Sequence, residues 1–230
     1  MVTTNKQIPS ITRNFMQKII SDAEKGTYRL EVDGTLIDVH PYVFPPCSPF
    51  SESTHTVYDY FGNLKGKKVL DVGTGTGILA IQAAKAGAKR IDALDIEQSA
   101  VDCARHNVSM NNFEDKIKVF KSDLFAEVSE KYDLIIANLP IIDYPEKDRR
   151  FHSLSDPGFE YHRRLFKEAK KYLTENGKMV LCHANLQSKN DFNGLESLAK
   201  KYGFSSQIKK SVKSLGYEWR DYEFSIGRGK

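Results

Sequence analysis

The chain has 230 residues, 40% of them hydrophobic, and a formal net charge of +4, a size and composition that bury one sizeable core in an ordinary globular protein. No apolar run reaches the about 18 residues that cross a bilayer, and Met1-Val2-Thr3-Thr4-Asn5-Lys6-Gln7 lacks the apolar core of a secretory signal, so a cytoplasmic protein without a membrane partner is expected. Three widely spaced cysteines, Cys47, Cys103 and Cys182, offer neither a complete disulfide pairing nor a zinc spacing, so reduced thiols and no metal are expected.

Ile11, Phe15 and Ile19 recur at helical spacing and Gly26 supplies a stop, which predicts an amphipathic helix near 10–25. Tyr28–Val32 and Thr35–Val39 flank Asp33-Gly34, a two-residue hairpin signal. The proline-rich passage His40–Pro49 continues neither strand nor helix and leads as a loop into a helix expected near Thr54–Phe61. Residues 1–60 are thus read as an amino-terminal extension and 61–230 as the main domain. From Lys68 onward strands alternate with helices, the strands falling near 68–72, 90–95, 117–121, 132–137, 178–184, 206–212 and 219–226. That alternation predicts a doubly wound, seven-stranded, mostly parallel sheet. The last two strands, with Leu215-Gly216-Tyr217-Glu218 between them, have too short a connection for a crossover helix and are expected to be antiparallel.

The most informative stretch is Val69-Leu70-Asp71-Val72-Gly73-Thr74-Gly75-Thr76-Gly77-Ile78-Leu79-Ala80, a strand running into a glycine turn and then a helix. Alternating glycines let the backbone approach a ligand closely, and the helix that starts near Gly77 aims free N–H groups and a positive dipole end at it. Dinucleotide sites carry G-x-G-x-x-G; here Ile78 stands where the third glycine would fall, which argues against NAD. The next strand ends in Asp95, a carboxylate suited to accepting hydrogen bonds from two ribose hydroxyls, so nucleoside recognition is expected. Asp123 and Asn138 end later strands at the same sheet edge, where ligands of such sheets lie.

With Asp71 to Gly77, Asp95-Ile96 and Asp123-Leu124 in this order, the chain resembles the class I S-adenosylmethionine-dependent methyltransferases. The resemblance spans roughly residues 28–226. It implies a Rossmann-like methyltransferase fold with an antiparallel last strand, S-adenosyl-L-methionine as cofactor, and Asp71, Gly73, Thr74, Gly75, Gly77, Asp95, Ile96, Asp123, Leu124 and Asn138 as cofactor-binding residues. Asn138-Leu139-Pro140 is similar to the Asn-x-Pro motif of methyltransferases that act on nitrogen. The implied catalytic residues are therefore Asn138, Leu139 and Pro140, with the Asn138 side-chain oxygen and the Leu139 carbonyl gripping the N–H groups of the acceptor. Relatives with planar substrates place Phe or Tyr after the Pro; this chain has Ile141-Ile142, with Tyr144 nearby.

Two further passages bear on the acceptor. Phe50-Ser51-Glu52-Ser53-Thr54-His55 resembles a segment of the ribosomal-protein amine methyltransferases, with serines in place of two glycines. Asp156-Pro157-Gly158-Phe159-Glu160-Tyr161-His162-Arg163-Arg164-Leu165-Phe166 is similar to the segment after the acceptor motif in glutamine N5-methyltransferases. The resemblance thus implies a protein side-chain amide or amine as acceptor, with a transfer or ribosomal RNA base, or a small molecule, as alternatives. Lysine clusters at Lys65-Gly66-Lys67-Lys68, Lys167 to Lys171, Lys200-Lys201 and Lys209–Lys213 suit phosphate contacts and solvated faces alike, so charge assigns no RNA binding.

Overall fold

The computed structural model describes residues 10–46, 57, 60–144, 148–186, 191–214 and 216–227. The expected helix near 54–61, the Phe50–His55 passage and Cys47 lie outside or almost wholly outside them. An amino-terminal helix α1 (Ser10–Glu24) is followed by strands β1 (Tyr28–Val32) and β2 (Thr35–Val39), which pair as an antiparallel hairpin around Asp33-Gly34. The main sheet then forms from β3 (Lys68–Val72), β4 (Arg90–Asp95), β5 (Ile117–Lys121), β6 (Tyr132–Ala137), β7 (Leu173–Ala184), β8 (Phe204–Ser214) and β9 (Tyr217–Ile226). Helices α2 (Ile78–Lys85), α3 (Gln98–Met110), α4 (Glu160–Glu168) and α5 (Asp191–Lys201) connect them.

The strand order is β5-β4-β3-β6-β7-β9-β8, with β3 to β7 parallel and β9 inserted antiparallel between β7 and β8. The central strands are buried on both faces, which is why they read as continuous apolar runs. Alternate residues divide between two apolar layers: Val69, Ile91, Leu134, Ile136 and Val180 pack with α2, α3 and the hairpin, while Leu70, Leu94, Ile135, Met179 and Leu181 pack with α4 and α5. Ile19 of α1 joins the first layer, so the extension shares a core with the sheet's helices.

Two strand limits differ from expectation. β7 begins at Leu173, ahead of the expected 178, because the polar run Thr174-Glu175-Asn176-Gly177 hides a register shift between the Tyr132↔Leu173 and Leu134↔Lys178 pairs. Gly177 permits it, since a methyl there would lie 2.8 Å from the Tyr132 carbonyl oxygen. β8 and β9 meet at the Ser214↔Tyr217 pair, so Tyr217 and Glu218 belong to the strand and not to its turn.

The outer strand β8 is exposed from Ser205 to Ser211, carries Lys209 and Lys210, and has a register shift between Ile208 and Lys210. Lysines and bulges on an edge strand oppose edge-to-edge pairing, which accounts for this lysine cluster without a ligand.

Candidate active site

The glycine turn is built on three left-handed residues, Gly73 (φ 73°), Gly75 (φ 56°) and Gly77 (φ 83°), a conformation that costs glycine least. The Gly73 and Thr74 N–H groups donate to the Leu94 carbonyl, each at 2.9 Å, which ties the turn to the end of β4. Asp95 completes the tie: one carboxylate oxygen accepts from the Gly75 N–H at 3.0 Å and the other from the Glu97 N–H at 3.0 Å. Burial raises the Asp95 pKa, and these N–H donors oppose the rise.

Gly73 faces the acceptor motif. A methyl group at Gly73 would stand 3.2 Å from Leu139 Cδ2, so bare backbone here allows the Asn138-Leu139-Pro140 segment to close against the turn. The C-terminal ends of β3, β4, β5 and β6 then surround a cavity of about 360 Å³. Gly73, Thr74, Gly75, Asp95, Ile96, Asp123, Leu124, Asn138, Leu139 and Pro140 all line it.

Two of the expected cofactor residues do not. Asp71 is fully buried behind the turn, where its carboxylate accepts a 2.7 Å hydrogen bond from the Thr74 hydroxyl. Gly77 opens α2 with its face toward α3, and a methyl there would meet Ala104 Cα and Cβ at 3.2 Å. Their places are supporting ones: Asp71 holds Thr74, and Gly77 allows close helix packing.

Burial pushes the Asp71 carboxyl up to about 7; the Thr74 hydroxyl opposes this and the Asp95 charge adds to it. A raised folded-state pKa means that the stability from the protonated form is complete below the unfolded value near 4 and is lost as pH rises through about 7. Thermal melts are therefore expected to show midpoints that fall from pH 5 to pH 8 more steeply in the parent than in Asp71→Asn, and parallel curves would contradict this.

Sequence reasoning missed several cavity residues. Thr76 and Ile78 continue the turn; Tyr42 comes from the proline-rich loop, beside Phe44, an aromatic residue that the sequence already offers for this pocket, and Tyr161 from α4. Cys182 and Leu186 come from the end of β7 and Trp219 from the start of β9, with Asn138 following the Ala137↔Leu181 pair in register. Trp219 was findable: an antiparallel inserted strand begins at the edge where its parallel neighbours end. Arg150, His152 and Leu154 lie in a 3-10 turn, Arg149–Leu154, that returns over the cavity. His152 Nδ1 stands 3.4 Å from Glu97 Oε1, so the turn touches the cofactor side. Tyr144 does not line the cavity and packs against the first apolar layer; the cavity's aromatic surfaces come from other segments.

The electrostatics are uneven. Asp95, Glu97 and Asp123 line the cavity, whereas Arg150 is the one Lys or Arg among its described lining residues and already makes 2.9 and 3.0 Å hydrogen bonds to Asp148. Asp123 Oδ1 is shielded from solvent and has no hydrogen-bond partner among the described residues. Such a lining fits a cationic nucleoside with hydroxyl and amine donors. A carboxylate beside a glycine turn, at the carboxyl edge of a parallel sheet with an inserted antiparallel strand, defines a nucleoside-cofactor α/β enzyme.

Comparisons with known proteins agree. Residues 56–143 match the model of the ribosomal protein L11 methyltransferase family. A Methanocaldococcus jannaschii protein, provisionally named a protein N5-glutamine methyltransferase, is 31% identical over 193 residues, 81% of this chain and 95% of its own length. The ribosomal protein L11 methyltransferase of Carboxydothermus hydrogenoformans is 54% identical over 74 residues, 32% of this chain and 24% of its own length. The chain therefore spans about a quarter of that relative. Among solved structures, a methyltransferase from Pyrococcus furiosus superposes with a TM-score of 0.66 at 21% identity, covering 95% of this chain and 100% of that one. The chain belongs to the family of that Methanocaldococcus jannaschii relative, the class I S-adenosylmethionine-dependent methyltransferases. A putative methyltransferase of the same fold, 14% identical with a TM-score of 0.62, holds S-adenosylhomocysteine, the form of that cofactor left after methyl transfer.

Proposed function

We propose that this methyltransferase modifies an amide or amine nitrogen of a protein side chain, in a protein of the translation apparatus. The observation that carries this reading is the position of Asn138-Leu139-Pro140, at the end of β6, lining the cavity and packed against the glycine turn. The names of the relatives, a protein glutamine methyltransferase and ribosomal-protein methyltransferases, support a protein acceptor.

When bound, S-adenosylmethionine would supply an electrophilic methyl to the acceptor nitrogen's lone pair, the sulfur–carbon pair staying on the departing S-adenosylhomocysteine and the nitrogen's proton passing to water. The chain supplies position. Asp95 would hold the ribose hydroxyls with the lone pairs left beside its two loop N–H bonds. Gly73 to Gly75 would offer bare backbone to the amino-acid end, and Ile96 and Leu124, which line the cavity, would flank the purine. The Asn138 side-chain oxygen and the Leu139 carbonyl accept the nitrogen's N–H groups, which orients its lone pair and favours the positive charge that develops on it. Pro140 fixes the backbone that presents them.

Residues 1–60 act as the acceptor-side cover, through Tyr42 and Phe44, together with the turn at Arg149–Leu154. Among the described lining residues Arg150 is the single Lys or Arg, which favours an acceptor without phosphate. The acceptor end, formed by Phe44, Ile142, Leu154, Cys182, Leu186 and Trp219, is apolar. That suits the aliphatic stem of a glutamine, and it equally favours a second reading, a small molecule with an apolar body.

Cell extract, intact and nuclease-treated, incubated with the enzyme and labelled S-adenosylmethionine separates these. Label retained in protein after nuclease treatment is the expected result. Label lost with RNA, or found in the small-molecule filtrate, would overturn it.

A further inference from the structure

Each of the five parallel strands is entered through a lysine that has no ion-pair partner among the described residues. Lys65 precedes β3, Lys89 precedes β4, Lys116 precedes β5, Lys131 precedes β6 and Lys171 precedes β7. Lys116 is half-buried and the other four are exposed. Because these strands run parallel, all five lysines stand at one edge of the sheet, opposite the edge that carries the cavity.

The turns that hold them are joined into one surface. The Lys89 N–H donates to the Lys67 carbonyl and the Ile91 N–H to the Lys116 carbonyl, each at 2.8 Å. Asp133 links the starts of β3, β6 and β7, accepting the Lys68 N–H at 2.9 Å and the Thr174 hydroxyl at 3.3 Å. The central acids of this edge are occupied by its other cations: Lys68 and Arg90 hold Glu130, and Lys67 stands 3.9 Å from Asp133. Glu114, Asp115, Glu168 and Glu175 lie toward the flanks, before β5 and around the start of β7.

Lys85, Lys167, Lys200 and Lys201 are set aside, because they end helices, where a cation complements the dipole. The strand-entry lysines have no such role. Strands lie about 4.8 Å apart, so five of them spread these charges over about 19 Å, enough to meet several phosphates.

We infer that the amino-terminal edge of the sheet is a docking face for the phosphate backbone of base-paired RNA. The exposed large apolar side chains among the described residues are Leu36, Tyr42, Ile96 and Ile208, and none belongs to the strand-entry turns. A lipid surface would call for apolar groups beside the cations, and unpaired bases for exposed aromatics to stack on. Spaced lysines without either suit the regular backbone of a duplex. The face names a docking partner and not the methyl acceptor, so it stands or falls apart from the reading above; an enzyme tethered by this edge keeps its cavity free for a protein segment.

The test is fluorescence anisotropy of a labelled 20-base-pair RNA duplex of about random sequence titrated with the full chain across a salt series. The combined variant Lys65→Glu, Lys131→Glu, Lys171→Glu is expected to bind about tenfold or more weakly than the parent at 0.1 M salt, and to lower the slope of log affinity against log salt by about two. Lys209→Glu, Lys210→Glu, Lys213→Glu on β8 changes the net charge equally and is expected to stay within about threefold of the parent. Calorimetric binding of S-adenosylhomocysteine should be the same in both variants, since neither touches the cavity.

No duplex binding by the parent, or equal weakening by the two variants, would overturn the docking face and leave the acceptor reading intact. Polyglutamate, or vesicles containing phosphatidylserine, that displace the duplex at equal charge concentration would give the face to an acidic protein or a membrane and overturn it as well. Should the first variant melt early, the three alanine substitutions at the same positions decide the matter, with a loss of about threefold or more expected and parental affinity overturning the inference.

Discussion

Replacing Asn138 by alanine is expected to lower kcat by about a hundred- to a thousandfold, the usual cost of removing one preorganised dipole from the reacting centre, while S-adenosylhomocysteine binds within about twofold of the parent. The proposed contacts of its side-chain oxygen are with the acceptor nitrogen. The amide of an acceptor has a delocalised lone pair, so orientation and stabilisation of developing charge are what the site has to contribute. Leu139 would still offer its carbonyl, and Gly73 would still receive the Leu139 side chain, so the loop keeps its place and the loss falls on turnover. Near-parental turnover by Asn138→Ala in a labelled-methyl assay would remove the chemistry from this motif.

Asp95→Ala is expected to act on the other half of the cavity and weaken S-adenosylhomocysteine binding by about 1.5 to 3 kcal/mol, the worth of hydrogen bonds to a charged acceptor. Part of the loss is indirect, because the carboxylate also accepts the Gly75 and Glu97 N–H groups that shape the turn and the start of α3. Asp95→Asn separates the parts: it keeps one acceptor for the loop and lacks the charge. Burial raises the Asp95 pKa, so the ionised form is lost on acidification earlier than for an exposed aspartate, and affinity is expected to fall with it. Isothermal titration of both variants measures this; unchanged affinity in Asp95→Ala would refute the ribose role.

Much of this site was legible in the sequence because it is set by local backbone. The turn at Gly73 to Gly77 needs left-handed residues, and Asp95, Asp123 and Asn138 each follow an apolar parallel strand, so their shared edge follows from topology. Depth was not legible. Asp71 and Gly77 sit in the same turn as Thr74 and Gly75, but the sequence does not say which groups face the cavity and which face the core. Nor did it show the acceptor end, because Phe44, Leu154, Cys182 and Trp219 come from four separate segments with no common spacing. The polar run before Lys178 concealed the start of β7 for a related reason: a register shift at glycine carries no hydrophobic period.

The hairpin of the amino-terminal extension is bound closely to the glycine turn. Asn107 of α3, fully buried, accepts the Asp38 N–H at 2.8 Å and donates to the Asp38 carbonyl at 2.8 Å and the Thr76 carbonyl at 2.9 Å. One side chain thus joins β2 to the cofactor turn. Such buried, fully used amides fix geometry more firmly than apolar contact does.

Mass spectrometry of the protein that takes up labelled methyl in extract, with the methyl located within the peptide, identifies the modified atom. A single methyl on a side-chain nitrogen, an amide or an amine, is the expected result. A methyl on a carboxylate or a thiol, or no modified protein beside a methylated nucleobase, would contradict it.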